Sequence, residues 1–163
     1  MKTLELEIIN ENLFILSKDK TVESLGYSVT VKKGFDFDGA SIPKWLWSVY
    51  GSPLNGNYVV ASLIHDGLYA SQKVSKEVSD KIFLDIMKQS KVGYMKRTSM
   101  YLAVKVFGGK DWKEATGYKD KYTKYVDVIQ LLILEKSYKS KVVRLLIYKN
   151  YKEIQWIQIQ KRY

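Results

Sequence analysis

The chain contains no cysteine. Disulfides and thiolate metal sites are therefore excluded, and a reducing compartment suits the protein without being required. There is a single histidine, His65, so a zinc site built from two or three histidines is excluded as well. Only two prolines occur, Pro43 and Pro53, and both fall within residues 34–57 together with Gly34, Gly39, Gly51 and Gly56. No apolar run approaches about 18 uninterrupted residues, so no transmembrane helix is expected. The opening stretch MKTLELEIINENLFIL carries acids inside its apolar part and lacks a small-residue cleavage site; it does not read as a signal peptide. Acidic residues are also few, 17 Asp and Glu against 27 Lys and Arg, which leaves a net charge of +10.

What is present describes a globular chain. Its 163 residues suffice for one domain with an extension, and 46% hydrophobic with 27% charged residues exclude a disordered composition. The positive charge is unevenly placed. Residues 1–109 hold 14 Lys and Arg against 11 Asp and Glu, whereas residues 110–163 hold 13 against 6. A basic last third suits nucleic acid, an anionic membrane or an acidic protein, and equally an ordinary solvated lysine-rich surface.

Residues 3–33 read as strands: LELEII and NLFIL are short and apolar, and YSVTV (27–31) alternates with the strand period. Residues 34–57 read as a long loop, and such loops in compact domains are usually functional or disordered; the aromatics Phe35, Phe37, Trp45, Trp47 and Tyr50 argue against disorder. Asn57 is placed to cap a helix over 58–71, on which Ala61, Ile64 and Leu68 recur at helical spacing. Ser75 is placed to cap a second helix ending near Gln89, with Val78, Ile82, Phe83, Ile86 and Met87 as its apolar stripe. Val92-Gly93 separates it from a third helix over about 95–107. There Met100, Val104 and Phe107 share one side, and Gly108-Gly109 end the helix. The spacing of Tyr122, Val126, Ile129 and Ile133 predicts a further helix over 121–136. The end, VVRLLIYKNYKEIQWIQIQ, reads as a strand pair turning near Lys149-Asn150.

The lone histidine lies in IHDGLY, residues 64–69. A histidine can fill a core, bind a metal or act as a base. On a helix His65 and Tyr69 share a face, while Asp66 points about 100° away. The link from Ser71 to Val74 is short, so the next helix should return antiparallel and bring Asp80 beside His65. Such a His–Asp pair, supported by Tyr69, orients the imidazole, fixes its tautomer and raises its basicity, leaving the other ring nitrogen to take a proton from water. Asp66, beside the glycine-containing loop YGSPLNGN (50–57), offers the hard oxygen set that calcium accepts. The same residues also suit a purely structural role, a buried polar network joining two helices.

The pattern H-D-x-x-Y on a helix, with an aspartate on the following antiparallel helix, resembles secreted and viral phospholipase A2. The resemblance implies His65 as the base, Asp80 as its partner, Tyr69 as support and Asp66 as a calcium ligand, with loop carbonyls from Gly51 onward. The disulfides of the secreted enzymes have no counterpart here, and the spacing of 15 residues from His65 to Asp80 is shorter than theirs. A broader resemblance runs over about residues 25–112, through GFDFDGASIPKWLW, YVVASLIHDGLY, SDKIFLDIM and RTSMYLAVKVFGG. These motifs are similar to the phage- and prophage-associated domain-of-unknown-function family 1353. That resemblance implies a bacteriophage or prophage origin and supplies no established activity.

In DFDGASIP (36–43), Asp38 and Ser41 are candidates to line the site together with Gly51. Ser41 could act as a nucleophile with His65 as base, but it lacks the strand–turn–helix context of a nucleophile elbow. Turn and cap chemistry explains Asp38, Ser41 and Pro43 more simply. Arg97 suits phosphate binding or, better, packing its stem over aromatics.

The expected fold is α+β. A small N-terminal antiparallel sheet precedes a core of three helices, including the antiparallel pair that carries His65 and Asp80, and a basic C-terminal appendage follows. The expected division is 1–112 for the site-bearing domain and 113–163 for the basic, aromatic-rich extension. The expected function is a phage-encoded, hydrolase-like protein, a phospholipase A2-like esterase assisted by calcium, acting in the host cytoplasm or the virion. The competing expectation is a non-enzymatic virion or host-interaction protein. The basic tail would meet anionic lipid or another virion protein; nucleic acid ranks behind these and would show steep salt dependence.

Overall fold

A computed structural model describes residues 4–10, 13–37, 57–133 and 144–147. The fold is mixed α+β, with two small antiparallel sheets and five helices among the described residues. One sheet has the order β1-β2-β5, formed by β1 (Leu6–Asn10), β2 (Leu13–Leu16) and β5 (Asp36–Phe37). The other has the order β3-β4-β6-β7, formed by β3 (Lys20–Ser24), β4 (Tyr27–Val31), β6 (Val126–Ile133) and β7 (Arg144–Ile147). The β3–β4 hairpin turns through Leu25 and Gly26, both at positive φ, which matches the right-handed twist of its strands.

The three long helices follow the expected plan. Helix α1 (Val59–Ser71) is buried at every position except Asp66, as befits a helix that is apolar nearly all round. Gln72, in the left-handed region, ends it by returning its N–H to Leu68 O. Helix α2 (Lys76–Gln89) starts on Ser75, whose hydroxyl accepts from the Val78 N–H, as expected. Helix α3 (Tyr94–Phe107) ends at Gly108, and two short helices follow, α4 (Gly109–Ala115) and α5 (Lys119–Thr123). Asn57 is not the cap of α1. The capping position is Tyr58, which makes no side-chain cap bond, so Asn57 stands one residue too early. Phe107 does not join Met100 in the core; it is 64% exposed, at the last residue of α3.

The expected helix over 121–136 is replaced by α5 followed by β6. The sequence VDVIQLLI is rich in β-branched residues, and strand β4 offers it a free edge. Val31 pairs with Val126 and Tyr27 with Gln130 along that ladder. The spacing of Tyr122, Val126, Ile129 and Ile133 fits a helix, but the tertiary pairing overrides it. Arg144–Ile147 forms a strand that pairs back onto β6; the expected turn near Lys149-Asn150 lies outside the described residues.

Helix α1 lies against this second sheet. A Cβ placed on Gly67 would stand 2.8 Å from Val31 Cγ2 and 3.3 Å from Val126 Cγ2, so the absent side chain is what lets helix and strands approach. Val29, Val31 and Val126 from the sheet meet Leu63, Ile64 and Leu68 from α1 and Ile82, Ile86 and Met87 from α2 in one buried cluster. The histidine helix is thus held from the sheet side and the α2 side together. No helix among the described residues is long and apolar enough to cross a membrane.

Candidate active site

Six residues from His65 to the end of α1, a short link, and four residues from the start of α2 bring His65 opposite Asp80. Nε2 of His65 lies 3.0 Å from Asp80 Oδ1. The Tyr69 hydroxyl donates to the same oxygen at 2.7 Å. Lys76, one turn before Asp80 on α2, donates to the other oxygen at 2.7 Å and to Val104 O, near the end of α3, at 3.0 Å. Its ammonium thus meets a carboxylate and a helix C-terminus, both of which favour positive charge. His65 and Asp80 are both buried, and Asp80 has three donors for its two oxygens.

The imidazole is also clamped by rings. The centroid of Tyr69 is 4.1 Å from that of His65, and Phe83 stands 4.8 Å away. Trp112 meets the edge of Tyr69 at 5.0 Å. Gly108 gives Tyr69 its room: a Cβ there would fall 2.7 Å from the tyrosine hydroxyl and 2.5 Å from Val104 O.

Asp66 is on the other side of the imidazole. Its Oδ1 is 3.8 Å from His65 Nδ1, too far for a hydrogen bond but close enough for charge to act. Because an ionised Asp80 only accepts hydrogen bonds, Nε2 must carry the proton of that contact. In the neutral ring Nδ1 is then the basic nitrogen. Burial opposes protonation of His65, but the carboxylates of Asp66 and Asp80 outweigh it and hold the imidazole above its ordinary value. Burial likewise opposes ionisation of Asp80, yet the hydrogen bonds from His65, Lys76 and Tyr69 prevail and keep its carboxyl below the usual range. Burial, followed by the bond to Asp80, pushes the Tyr69 hydroxyl well up, so it stays a donor.

These shifts fix a pH dependence of stability. The raised imidazole contributes fully below its unfolded value near 6.5, and that contribution is lost as pH rises through the higher folded value. The depressed carboxyl contributes fully above its unfolded value near 3.8, and that contribution is lost as pH falls through the lower folded value. The network therefore stabilises most between those two pH values. Urea unfolding of wild type and His65→Gln across pH 5 to 9 checks this. The wild type should lose stability on the alkaline side, and the variant should lose less. Parallel curves would show that His65 does not bind its proton more tightly in the folded state.

A pocket of about 510 Å³ adjoins the network. His65, Asp66 and Tyr69 line it together with Ser62, and Phe83, Met100, Val104 and Phe107 supply much of its apolar wall. Asp36, Tyr122 and Lys121 also line the pocket; the Tyr122 hydroxyl donates to Asp36 Oδ2 at 2.7 Å, and Lys121 Nζ lies 3.0 Å from that hydroxyl. The volume lies within the roughly 300–1,000 Å³ usual for small-molecule sites, and the mix of apolar wall and a few polar groups is usual as well.

The structure thus brings together His65, Asp80 and Tyr69 as the spacing predicted, and it places Asp66 by the other ring nitrogen. Asp38, Ser41, Gly51 and the rest of the 50–56 loop lie outside the described residues. Among the described residues no group of three or more acidic or histidine side chains is arranged to hold a metal, and the loop carbonyls expected beside Asp66 lie outside the described residues. Arg97 donates to Val92 O at 2.9 Å and stacks over Tyr94, in keeping with the packing role. Sequence reasoning missed Lys76, Phe83, Ser62 and the Asp36–Tyr122 contact. Lys76 had a signal, its i,i+4 spacing to Asp80. Asp36 and Tyr122 are 86 residues apart, and nothing local links them.

Residues 14–104 match the family described as "Protein of unknown function (DUF1353)". The chain is also similar to "Uncharacterized protein y4jT" of Sinorhizobium fredii, at 36% identity over 101 residues. That alignment covers 61% of this chain but 30% of the relative, so the chain spans less than a third of that protein's length. No solved structure matches. The match over 14–104 runs from within β2 to within α3 and includes His65, Tyr69 and Asp80, and on it the chain belongs to this family of unknown function.

Proposed function

We propose that this protein is a hydrolase-like enzyme that cleaves an ester by attack of water, with His65 as general base. One observation carries the reading: the sole histidine is bonded through Nε2 to a buried aspartate, and the same residue lines a largely apolar pocket. In this reading Nδ1 takes the proton of the attacking water. Asp80 holds the ring and stabilises the imidazolium that forms, Tyr69 and Lys76 keep Asp80 ionised, and Asp66 attracts the new proton from the other side. The apolar wall suits an acyl group and limits water around the ring. The proposal extends to a phage-borne protein acting in the host cytoplasm or the virion, with residues 113–163 facing anionic lipid or a virion partner. Calcium at Asp66, completed by the 50–57 loop, enters as an assay condition.

The test is fatty-acid release from mixed anionic and zwitterionic liposomes, in calcium and in chelator, by wild type and His65→Ala. Removing a general base should lower release by about 100-fold or more. Release lost in chelator would support calcium at Asp66; equal release in both would remove calcium from the proposal. No release by folded wild type would sink the esterase reading.

A second reading is favoured by the burial of the ring. His65 is only 6% exposed, lies against two aromatic rings, and has a carboxylate near each nitrogen. As a structural network it would tie α1 to α2 in a non-enzymatic virion or host-interaction protein.

A further inference from the structure

The pocket contains a polar group that neither the network nor the proposed reaction uses. Ser62 lies three residues before His65 on α1, lines the pocket and is 3% exposed. A serine or threonine inside a helix commonly returns its hydroxyl to the carbonyl four residues back. Ser79, Ser90, Ser99 and Thr123 all do so here, at 3.0, 2.7, 2.8 and 2.9 Å. Ser62 does not, and its Oγ has no hydrogen-bond partner among the described residues. A buried hydroxyl in this state disfavours the empty pocket relative to one holding a group that can bond it. Ser71 Oγ is unpartnered too, but Ser71 is not on the pocket wall and carries no such argument.

We propose that Ser62 is a binding residue, its hydroxyl taking the carbonyl oxygen of a neutral amphiphile whose hydrocarbon body packs against Phe83, Met100, Val104 and Phe107. An anionic head is disfavoured because the carboxylates of Asp66 and Asp80 stand beside the ring against the one ammonium of Lys76. A neutral head adds no buried charge to the pocket at all. An alcohol head would also satisfy one hydroxyl. A carbonyl is preferred because the proposed reaction acts on an ester, and to that extent the inference rests on the hydrolase reading.

Methyl octanoate is the probe, with octanoate and octylammonium as charged comparisons. With one histidine, histidine-selective ¹⁵N labelling reports the pocket through a single imidazole. Methyl octanoate should move the His65 resonances saturably in wild type. Ser62→Ala should weaken binding about 5- to 10-fold, the worth of one neutral hydrogen bond, and should melt no lower than wild type. Unchanged affinity in Ser62→Ala would overturn the assignment. So would tighter binding of either charged amphiphile, absence of saturable binding in wild type, or a markedly lower melting temperature in the variant, which would make the hydroxyl structural. Octanoate release is read in the same samples. Serine-dependent binding without release sinks the hydrolase reading and leaves Ser62 in place; release with serine-independent binding does the reverse.

Discussion

Replacing Asp80 by alanine should destabilise the protein by about 3–5 kcal/mol, the cost of removing one partner from a buried ion pair. Three groups lose their acceptor at once. The His65 imidazole and the Tyr69 hydroxyl are buried, whereas Lys76, with a side chain 23% exposed, recovers part of its hydration. For a domain of this size the melting temperature should fall by roughly 10 °C or more. Combining His65→Leu with Asp80→Leu should cost far less than the two single changes added together, because the charges leave as a pair. Urea unfolding of wild type, Asp80→Ala, the two single leucine variants and the double leucine variant checks both statements. A loss under about 1 kcal/mol for Asp80→Ala would mean that the network contributes little to holding α1 on α2.

Phe83→Ala should cost a similar amount, about 3–5 kcal/mol for deleting a buried aromatic ring. Phe83 is 3% exposed, belongs to the main core cluster and stands 4.8 Å from His65. Its removal should do two things. The core loses the packing of a large side chain, and the pocket gains volume beside the imidazole, admitting water that lowers the worth of the His65–Asp80 contact. Denaturant unfolding gives the first effect, and the His65 ring resonances give the second. A stability change near zero would place Phe83 with the pocket lining rather than the core.

Much of this arrangement was legible in the sequence, for reasons that differ between elements. Two of the three long helices carry their own punctuation: Ser75 caps α2, Val92-Gly93 separates α2 from α3, and Gly108 follows α3. The His65–Asp80–Tyr69 contact followed from two helical spacings and a short link, all local quantities. What failed depended on distant partners. Residues 126–133 suit a helix or a strand by pattern alone, and the open edge of β4 decides between them. Phe107 shares an apolar spacing with Met100 and Val104 but comes at the last residue of α3, where no further turn covers it. Ser62 gave no signal because a helical serine is unremarkable until its usual carbonyl bond is seen to be missing. Lys76 was legible and overlooked.

The β4–β6 ladder joins segments about 100 residues apart in the chain, which makes it a late contact in folding by the loop-closure argument. All three long helices lie between the two strands in sequence. During synthesis β4 must therefore wait with one edge unpaired until residues beyond Tyr125 have left the ribosome. An open edge is a template for pairing with other chains. A fragment that stops at residue 104, where the family match ends, contains both His65 and Asp80 but leaves that edge without β6, and should associate through it at concentrations where the full chain does not.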